Sequence, residues 1–376
     1  MRVYLDNAAT TPLDKEVWEA MTPFFLDHFG NPSSIHSHGR ESRSAIEQSR
    51  KTIAELLNTS PSEIFFTSGG TEADNTAICS SISTLGLEHA ITSKVEHHAV
   101  LHTLESLHEN GKIKLSFLDL DSKGNIDIEQ LERLLEETPR SFVSLMHANN
   151  EIGNLNDIDA IGRLCQDHSA VFHSDTVQAM GHYVHDLSSE QMDFIVGAAH
   201  KFHGPKGVGF LYINHKNKIA PIILGGAQER NMRGGTENVA GIVGLAKALE
   251  IAYRDMAKDR AHIEGLKLRM IASLHEKISG IEFNGESEDL EKSLYTVLNV
   301  SLPESGDNDM LLFSLDIKKI SVSGGSACAS GTNIGSHVLE AIGSDPKRGA
   351  LRFSFSKMTT VEEVDFAVDA LAEIME

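Results

Sequence analysis

Positive charge is scarce in this chain. Lys and Arg number 33 against 54 Asp and Glu, a formal net charge of -21. That balance opposes nucleic-acid backbones and anionic membrane surfaces, so neither is expected as a partner. It does not exclude a phosphate-bearing small molecule, because a local nest of backbone N–H groups binds phosphate on an acidic protein as well. Long apolar runs are also missing. No stretch reaches the roughly 18 residues that span a bilayer, and residues 1–10 lack the apolar region of a signal peptide. Cysteine is rare too. Cys79, Cys165 and Cys328 are far apart, odd in number and without CxxC spacing. This suits a reducing cytoplasm, predicts no metal site, and leaves one thiol as a candidate for chemistry. Neither an internal repeat nor a low-complexity tract is present.

What remains is an ordinary globular composition, 40% hydrophobic and 23% charged, over 376 residues. That length is too great for one small core and predicts two domains. Asp14 can cap a helix running to about residue 25, and apolar residues at helical spacing predict another over 42–57. From residue 64 onward, strand-like runs (64–67, 90–92, 113–118, 142–146, 171–173) alternate with helix-like runs (100–109, 128–137, 158–167). Alternation of this kind predicts an α/β domain with a mostly parallel sheet. A composition shift follows residue 236, where a long helix is expected over 239–279. Short strands at 296–301, 320–322 and 351–355 and a closing helix at 361–374 come after it. The expected division is a large domain, 13–250, and a smaller α+β domain built from 1–12 and 251–376.

The stretch 193–209 contains the most suggestive chemistry. A short buried strand stops at Gly197, Ala198 and Ala199, and His200 and Lys201 follow. A lysine there is poorly solvated. Desolvation favours the free amine, the form that condenses with an aldehyde such as pyridoxal phosphate. Alone, Lys201 reads equally well as a surface lysine at a strand end. The cofactor also needs an acid for its ring nitrogen, a phosphate cradle and a flat stacking group. Asp175 ends a strand and suits the first role, although it can equally cap a helix. Ser68-Gly69-Gly70-Thr71 joins a strand to a helix start, an anion site in which Gly70, Thr71 and His200 suit the phosphate. His97 can stack on the ring, and Asn150 and Gln178 can bond its hydroxyl. These polar residues fall at the carboxyl ends of strands, where ligands bind in such sheets.

Eight stretches together make the sequence familiar: Leu5-Asp-Asn-Ala-Ala-Thr-Thr-Pro12, Gly30-Asn-Pro-Ser-Ser-Ile-His36, Thr67-Ser-Gly-Gly-Thr-Glu-Ala-Asp-Asn75, His147-Ala-Asn-Asn-Glu-Ile-Gly153, His173-Ser-Asp-Thr-Val-Gln178, His200-Lys201 with Gly204-Pro-Lys-Gly207, Arg233-Gly-Gly-Thr-Glu-Asn238 and Gly325-Ser-Ala-Cys328. They resemble cysteine desulfurases of the class V aminotransferase family, across essentially the whole chain. The resemblance implies an aspartate-aminotransferase-like fold and the cofactor pyridoxal 5'-phosphate. It implies that Lys201 carries the cofactor, that His97 stacks on it and serves acid–base steps, and that Asp175 meets the ring nitrogen. Asn150 and Gln178 would contact ring substituents, and Gly70, Thr71 and His200 the phosphate. Thr236 would reach the phosphate of a partner subunit in a homodimer. Arg352 would clamp the carboxylate of L-cysteine, and Cys328 would take its sulfur as a persulfide, for an acceptor in iron–sulfur cluster or thio-cofactor synthesis.

Cys328 also stands out by its neighbours. Gly, Ser and Ala surround it, whereas Cys79 and Cys165 lie inside helix-like runs and read as core residues. Two departures from the family pattern are visible. Members usually place a serine two residues before the histidine–lysine pair, where it bonds the phosphate; this chain has Ala198. Many members also extend a longer tail beyond the closing helix to dock a scaffold protein, which leaves the sulfur acceptor open. Two rival readings stay open as well: a selenocysteine lyase or other enzyme of the same fold, and a non-catalytic sulfur carrier or assembly scaffold.

Overall fold

A computed structural model describes residues 1–138, 140–304, 308–324 and 335–375. Its centre is a seven-stranded sheet in the order Ile64–Thr67, Gly209–Ile213, Phe194–Ala198, Val171–Ser174, Phe142–Ser144, His89–Ser93, Lys114–Leu118. Only Gly209–Ile213 runs antiparallel to its neighbours; the other pairings are parallel. The expected α/β class with a mostly parallel sheet is therefore the observed one. Parallel strands need crossover connections, and Gly70–Leu85, His98–Glu109, Ile128–Glu137 and Ile158–Asp167 supply helices between them. Three of these four helices begin with a side chain that accepts a backbone N–H: His97, Asp127 and Asp157.

Some elements are longer than their apolar patterns suggest. The helix expected from residue 42 starts at Ser37, because the His36 ring accepts the Gly39 N–H and caps a polar first turn that has no apolar periodicity. The helix after Gly70 continues to Leu85 and stops at Gly86, which takes the left-handed conformation at φ +65°.

A second, antiparallel sheet has the order Ser323–Gly324, Gly349–Ser354, Val297–Leu302, Glu282–Phe283. The 39-residue helix Val239–Lys277 links the two parts. Its first half packs Ile242, Leu245 and Leu249 into the core of the large sheet. Its second half packs Ile263, Leu266, Met270 and Leu274 into the core of the small one. Val3 and Leu5 belong to that second core, and Val3–Tyr4 pairs in parallel with Ile320–Ser321. From there the N-terminal segment crosses to the large sheet, where the Thr11 N–H donates to the His200 carbonyl at 2.9 Å.

The open edge of Ile64–Thr67 is covered by charge. Arg50, 2% exposed, donates to both oxygens of Glu229 at 2.8 and 2.7 Å and to the Ile64 carbonyl at 2.7 Å. Glu229 also accepts the Phe66 N–H at 2.8 Å. This ties the segment leading to Thr236 against the sheet. Removing Glu229 leaves the buried Arg50 guanidinium with only the half-exposed Glu47 as an ionic partner, at 3.2 Å. Glu229→Ala is accordingly expected to lower the unfolding free energy by about 3 kcal/mol or more, read by denaturant unfolding. A loss below about 1 kcal/mol would show that the pair does not carry this edge.

Candidate active site

The carboxyl ends of the large sheet open onto a cavity of about 320 Å³. Gly70, Thr71, His97, Asn150, Asp175, Gln178, His200, Lys201 and Arg352 all line it. Nine residues singled out in the sequence, spread over 283 positions of chain, thus meet in one space. Thr236 does not join them. It is exposed and lines a separate cavity of about 170 Å³ with Ser68, Gly207 and Arg233. Cys328 lies outside the described residues.

The phosphate-side wall rests on close backbone approach. Gly69 sits at φ +156° and ψ -176°, a conformation essentially reserved for glycine. A Cβ on Gly209 would lie 2.5 Å from the Gly197 carbonyl oxygen and 2.9 Å from the Gly69 backbone. These glycines let the turn lie flat on the sheet and direct the start of Gly70–Leu85 at the cavity. That helix start has no side-chain cap, so its first-turn amides remain available to an anion. Glu72 pins the turn, accepting the Ser68 N–H at 3.0 Å and pairing with Arg233 at 2.9 Å. Ala198 adds only a methyl to this wall; an added Gly70 Cβ would sit 3.8 Å from it.

Lys201 follows the strand Phe194–Ala198 in a short turn. Its Nζ donates to the backbone carbonyls of Ala8 at 2.5 Å and Ala9 at 3.0 Å. Burial, and then the nearby Arg352 guanidinium, lower its pKa to about 8, while Asp175 and Asp6 oppose that shift. His200 is lowered to about 4 by burial and by the lysines at 201 and 206, so its ring is neutral. Gln178 donates to the Ala8 carbonyl at 3.0 Å, which fixes the same N-terminal segment from the other side.

Asp175 is buried beyond the end of Val171–Ser174. One oxygen accepts the Val177 N–H at 2.9 Å, and the other has no protein partner among the described residues. The His97 Nδ1 accepts the Ala99 N–H at 3.1 Å, which places the proton of the neutral ring on Nε2. Asn75 bridges the Thr71 and Ala99 carbonyls, at 2.9 and 3.2 Å, and so locks the helix start carrying Thr71 to the one capped by His97.

Three functional-site acids received no role from the sequence. Asp74 lines the cavity, is 1% exposed, and its Oδ1 has no hydrogen-bond partner. Glu96 is equally buried; it accepts the Met146 N–H at 2.7 Å through one oxygen and leaves the other unpartnered. Burial first, then nearby carboxylates, raise both well above the usual range. Asp74, His97 and Asp175 hold their ligand atoms within 4.8 Å of one another, inside this same cavity. The third acid, Asp6, accepts from the Arg352 Nη2 at 2.9 Å. Asp74 and Asp6 lie within motifs already quoted, and Glu96 directly precedes His97. Their positions were in view, but only the folded arrangement gives them neighbours.

The aminotransferase class V family model matches residues 3–366. A cysteine desulfurase IscS of Dictyoglomus turgidum is 43% identical over 379 residues, covering 100% of this chain and 94% of that protein. A putative cysteine desulfurase, IscS 1, of Bacillus subtilis is 41% identical, covering 100% and 98%. Among solved structures, a NifS-like protein matches with a TM-score of 0.91 at 38% identity, over 100% of this chain and 99% of that one. A structure described as SspA in complex with cysteine matches with a TM-score of 0.82 at 31% identity, over 95% and 100%. Similarity this extensive, in sequence and in fold, has one source: the chain belongs to the class V aminotransferase family, among its cysteine desulfurases.

Proposed function

We propose that the protein is a pyridoxal-phosphate-dependent cysteine desulfurase that converts L-cysteine to L-alanine and takes the sulfur as a persulfide on Cys328. The observation that carries this reading is the single cavity that brings together Lys201, Asp175, His97, His200, the Gly70–Thr71 helix start and Arg352. Its residues fit the cofactor: an amine of lowered pKa, a buried carboxylate with one free oxygen opposite, and uncapped amides for a phosphate. When bound, the cofactor supplies an electron sink for the carbanion formed at the substrate α-carbon. Gly70, Thr71 and His200 would hold its phosphate, Asp175 its ring nitrogen, and Asn150 and Gln178 its ring substituents. Ala198 contributes no hydroxyl, so the helix amides take a larger share of the phosphate.

Arg352 holds the substrate carboxylate. Lys201, as free amine, accepts the α-proton. His97, with Nδ1 engaged by the Ala99 N–H, offers an Nε2–H as acid. The Cys328 thiolate attacks the substrate sulfur. An S–S bond forms, the substrate C–S bond breaks, and its electron pair stays on carbon, where a proton completes L-alanine. The sulfur then passes to an acceptor protein for iron–sulfur cluster or thio-cofactor synthesis.

A homodimer is part of the same proposal. Trp18, Phe25, Leu26, Phe29 and Ile35 are exposed on the large part, apolar side chains of the kind that a subunit interface covers. Thr236, which does not line its own chain's cavity, would serve the partner's phosphate site. The proposed division into a large domain, 13–250, and a small one, 1–12 with 251–376, is supported by two cores that share the long helix, although Ile251 still packs into the large one. Among the described residues no helix is long and apolar enough to cross a membrane, and Cys79 and Cys165 are free thiols, in keeping with the cytoplasm.

Three outcomes test this function. Addition of L-cysteine should release L-alanine and add one sulfur to Cys328 by mass spectrometry, and Cys328→Ala should abolish both; full turnover in that variant would reject the mechanism. Cofactor-free protein should load pyridoxal phosphate at Lys201 at a rate that rises with pH through about 8, because the amine must first shed its proton. A midpoint near the ordinary lysine value of about 10 would contradict the desolvated amine. Sedimentation should give a dimer, and Thr236→Ala should weaken cofactor binding about tenfold without changing that state. A fully active monomer would remove Thr236 from the site.

A further inference from the structure

Arg352 is held before any substrate arrives. It lies on Gly349–Ser354, and its guanidinium has partners on both arms. Nη1 donates to the Asn150 carbonyl at 2.7 Å, on the cavity wall. Nη2 donates to Asp6 Oδ1 at 2.9 Å and to Ser323 Oγ at 3.0 Å. Ser323 in turn donates to the same Asp6 oxygen at 2.7 Å, closing a three-membered arrangement. Nε is buried and has no hydrogen-bond partner. Asp6 is set by backbone pairing: it bridges in parallel to Ser354, two residues beyond Arg352 on the same face of the strand, and the Ser354 N–H donates to the Leu5 carbonyl at 2.7 Å.

We propose that Asp6 is a positioning residue for Arg352, fixing the guanidinium at the cavity wall so that the site selects substrates carrying an α-carboxylate. The proposal rests on the reading of Arg352 as the carboxylate clamp and names what makes that clamp work. An arginine side chain has four rotatable bonds, and a carboxylate gains most from a guanidinium whose orientation is already set. Asn150 contributes one neutral bond, too little to hold the plane. Asp6 supplies the charge-assisted one, and Ser323 steers the Asp6 oxygen. Asp6 also lies close enough to Lys201 to act against Arg352 on it. It therefore offsets part of the repulsion between two cations that line one small cavity, and it is not itself among the residues lining that cavity.

The test measures holoenzyme affinity for two product-like ligands, L-alanine and ethylamine, from the change in visible absorbance. They share the amine and differ in the carboxylate. Wild-type protein should prefer L-alanine. Asp6→Asn, nearly isosteric, should weaken L-alanine about tenfold, leave ethylamine unchanged, and raise KM for L-cysteine with kcat within about twofold. Ser323→Ala should move L-alanine in the same direction by a smaller factor, and it decides the matter if Asp6→Asn does not fold. Equal loss for both ligands would mean a general structural role, and no loss or a gain for L-alanine would mean that Asp6 does not orient the clamp. Either result overturns the proposal. Absence of any wild-type preference for L-alanine would remove Arg352 from the carboxylate role and this inference with it, a failure distinct from that of Asp6 alone.

Discussion

The ε-amine of Lys201 is taken out of water by the N-terminal segment, and most of the site is arranged around that act. Its Nζ finds two backbone carbonyls, of Ala8 and Ala9. Those carbonyls are available only because the segment leaves its pairing with Ile320–Ser321, crosses to the large sheet, and is pinned there by Thr11 against the His200 carbonyl. The Asn7 side chain and the Ala8 N–H are both tied to Ser354, on the strand that carries Arg352. One short stretch of chain thus contacts both the lysine and the strand that carries the arginine. Desolvation without a paired carboxylate lowers the amine pKa, whereas a direct ion pair would have raised it. Backbone carbonyls give the amine hydrogen bonds without that penalty to its reactivity.

Charge at the floor of the cavity is handled by subtraction. Asp74 and Asp175 line it and Glu96 is buried behind them, and three ionised carboxylates so close together would repel strongly. Burial and mutual repulsion favour the neutral forms of Asp74 and Glu96. Nearby His173, lowered to about 3 by burial, does not supply a balancing cation. Favouring those neutral forms reduces the negative charge packed around Asp175. The second oxygen of Asp175 is left without a protein partner among the described residues at the edge of that cavity, and a carboxylate in that position is what a positively charged ring nitrogen needs.

The sheet and the crossover helices were legible because they depend on local pattern. Apolar runs of three to six residues, most of them followed by a helical period, read as the parallel strands and helices that the fold contains. Gly69-Gly70-Thr71 was legible for a similar reason: a strand, a tight turn and a helix start carry their own signature. Less legible were elements set by a single contact, such as the His36 cap that starts a helix five residues before its apolar pattern does. Asp74 and Glu96 escaped notice altogether, because an acid in a sequence has no burial until its neighbours surround it.

Residue types and their order determined, on their own, that this is an acidic α/β protein with a lysine, an aspartate and a histidine at strand ends and a lone cysteine among small residues. Those properties are local, written in composition and in spacings shorter than one element. Tertiary structure alone decided that Asp6 meets Arg352 across 346 positions of chain, that Ala8 and Ala9 hold Lys201 across 193 and 192, and that Thr236 stands outside the cavity its own chain builds. Such meetings follow from how two sheets, one long helix and a crossing segment pack together, and no spacing along the chain encodes them.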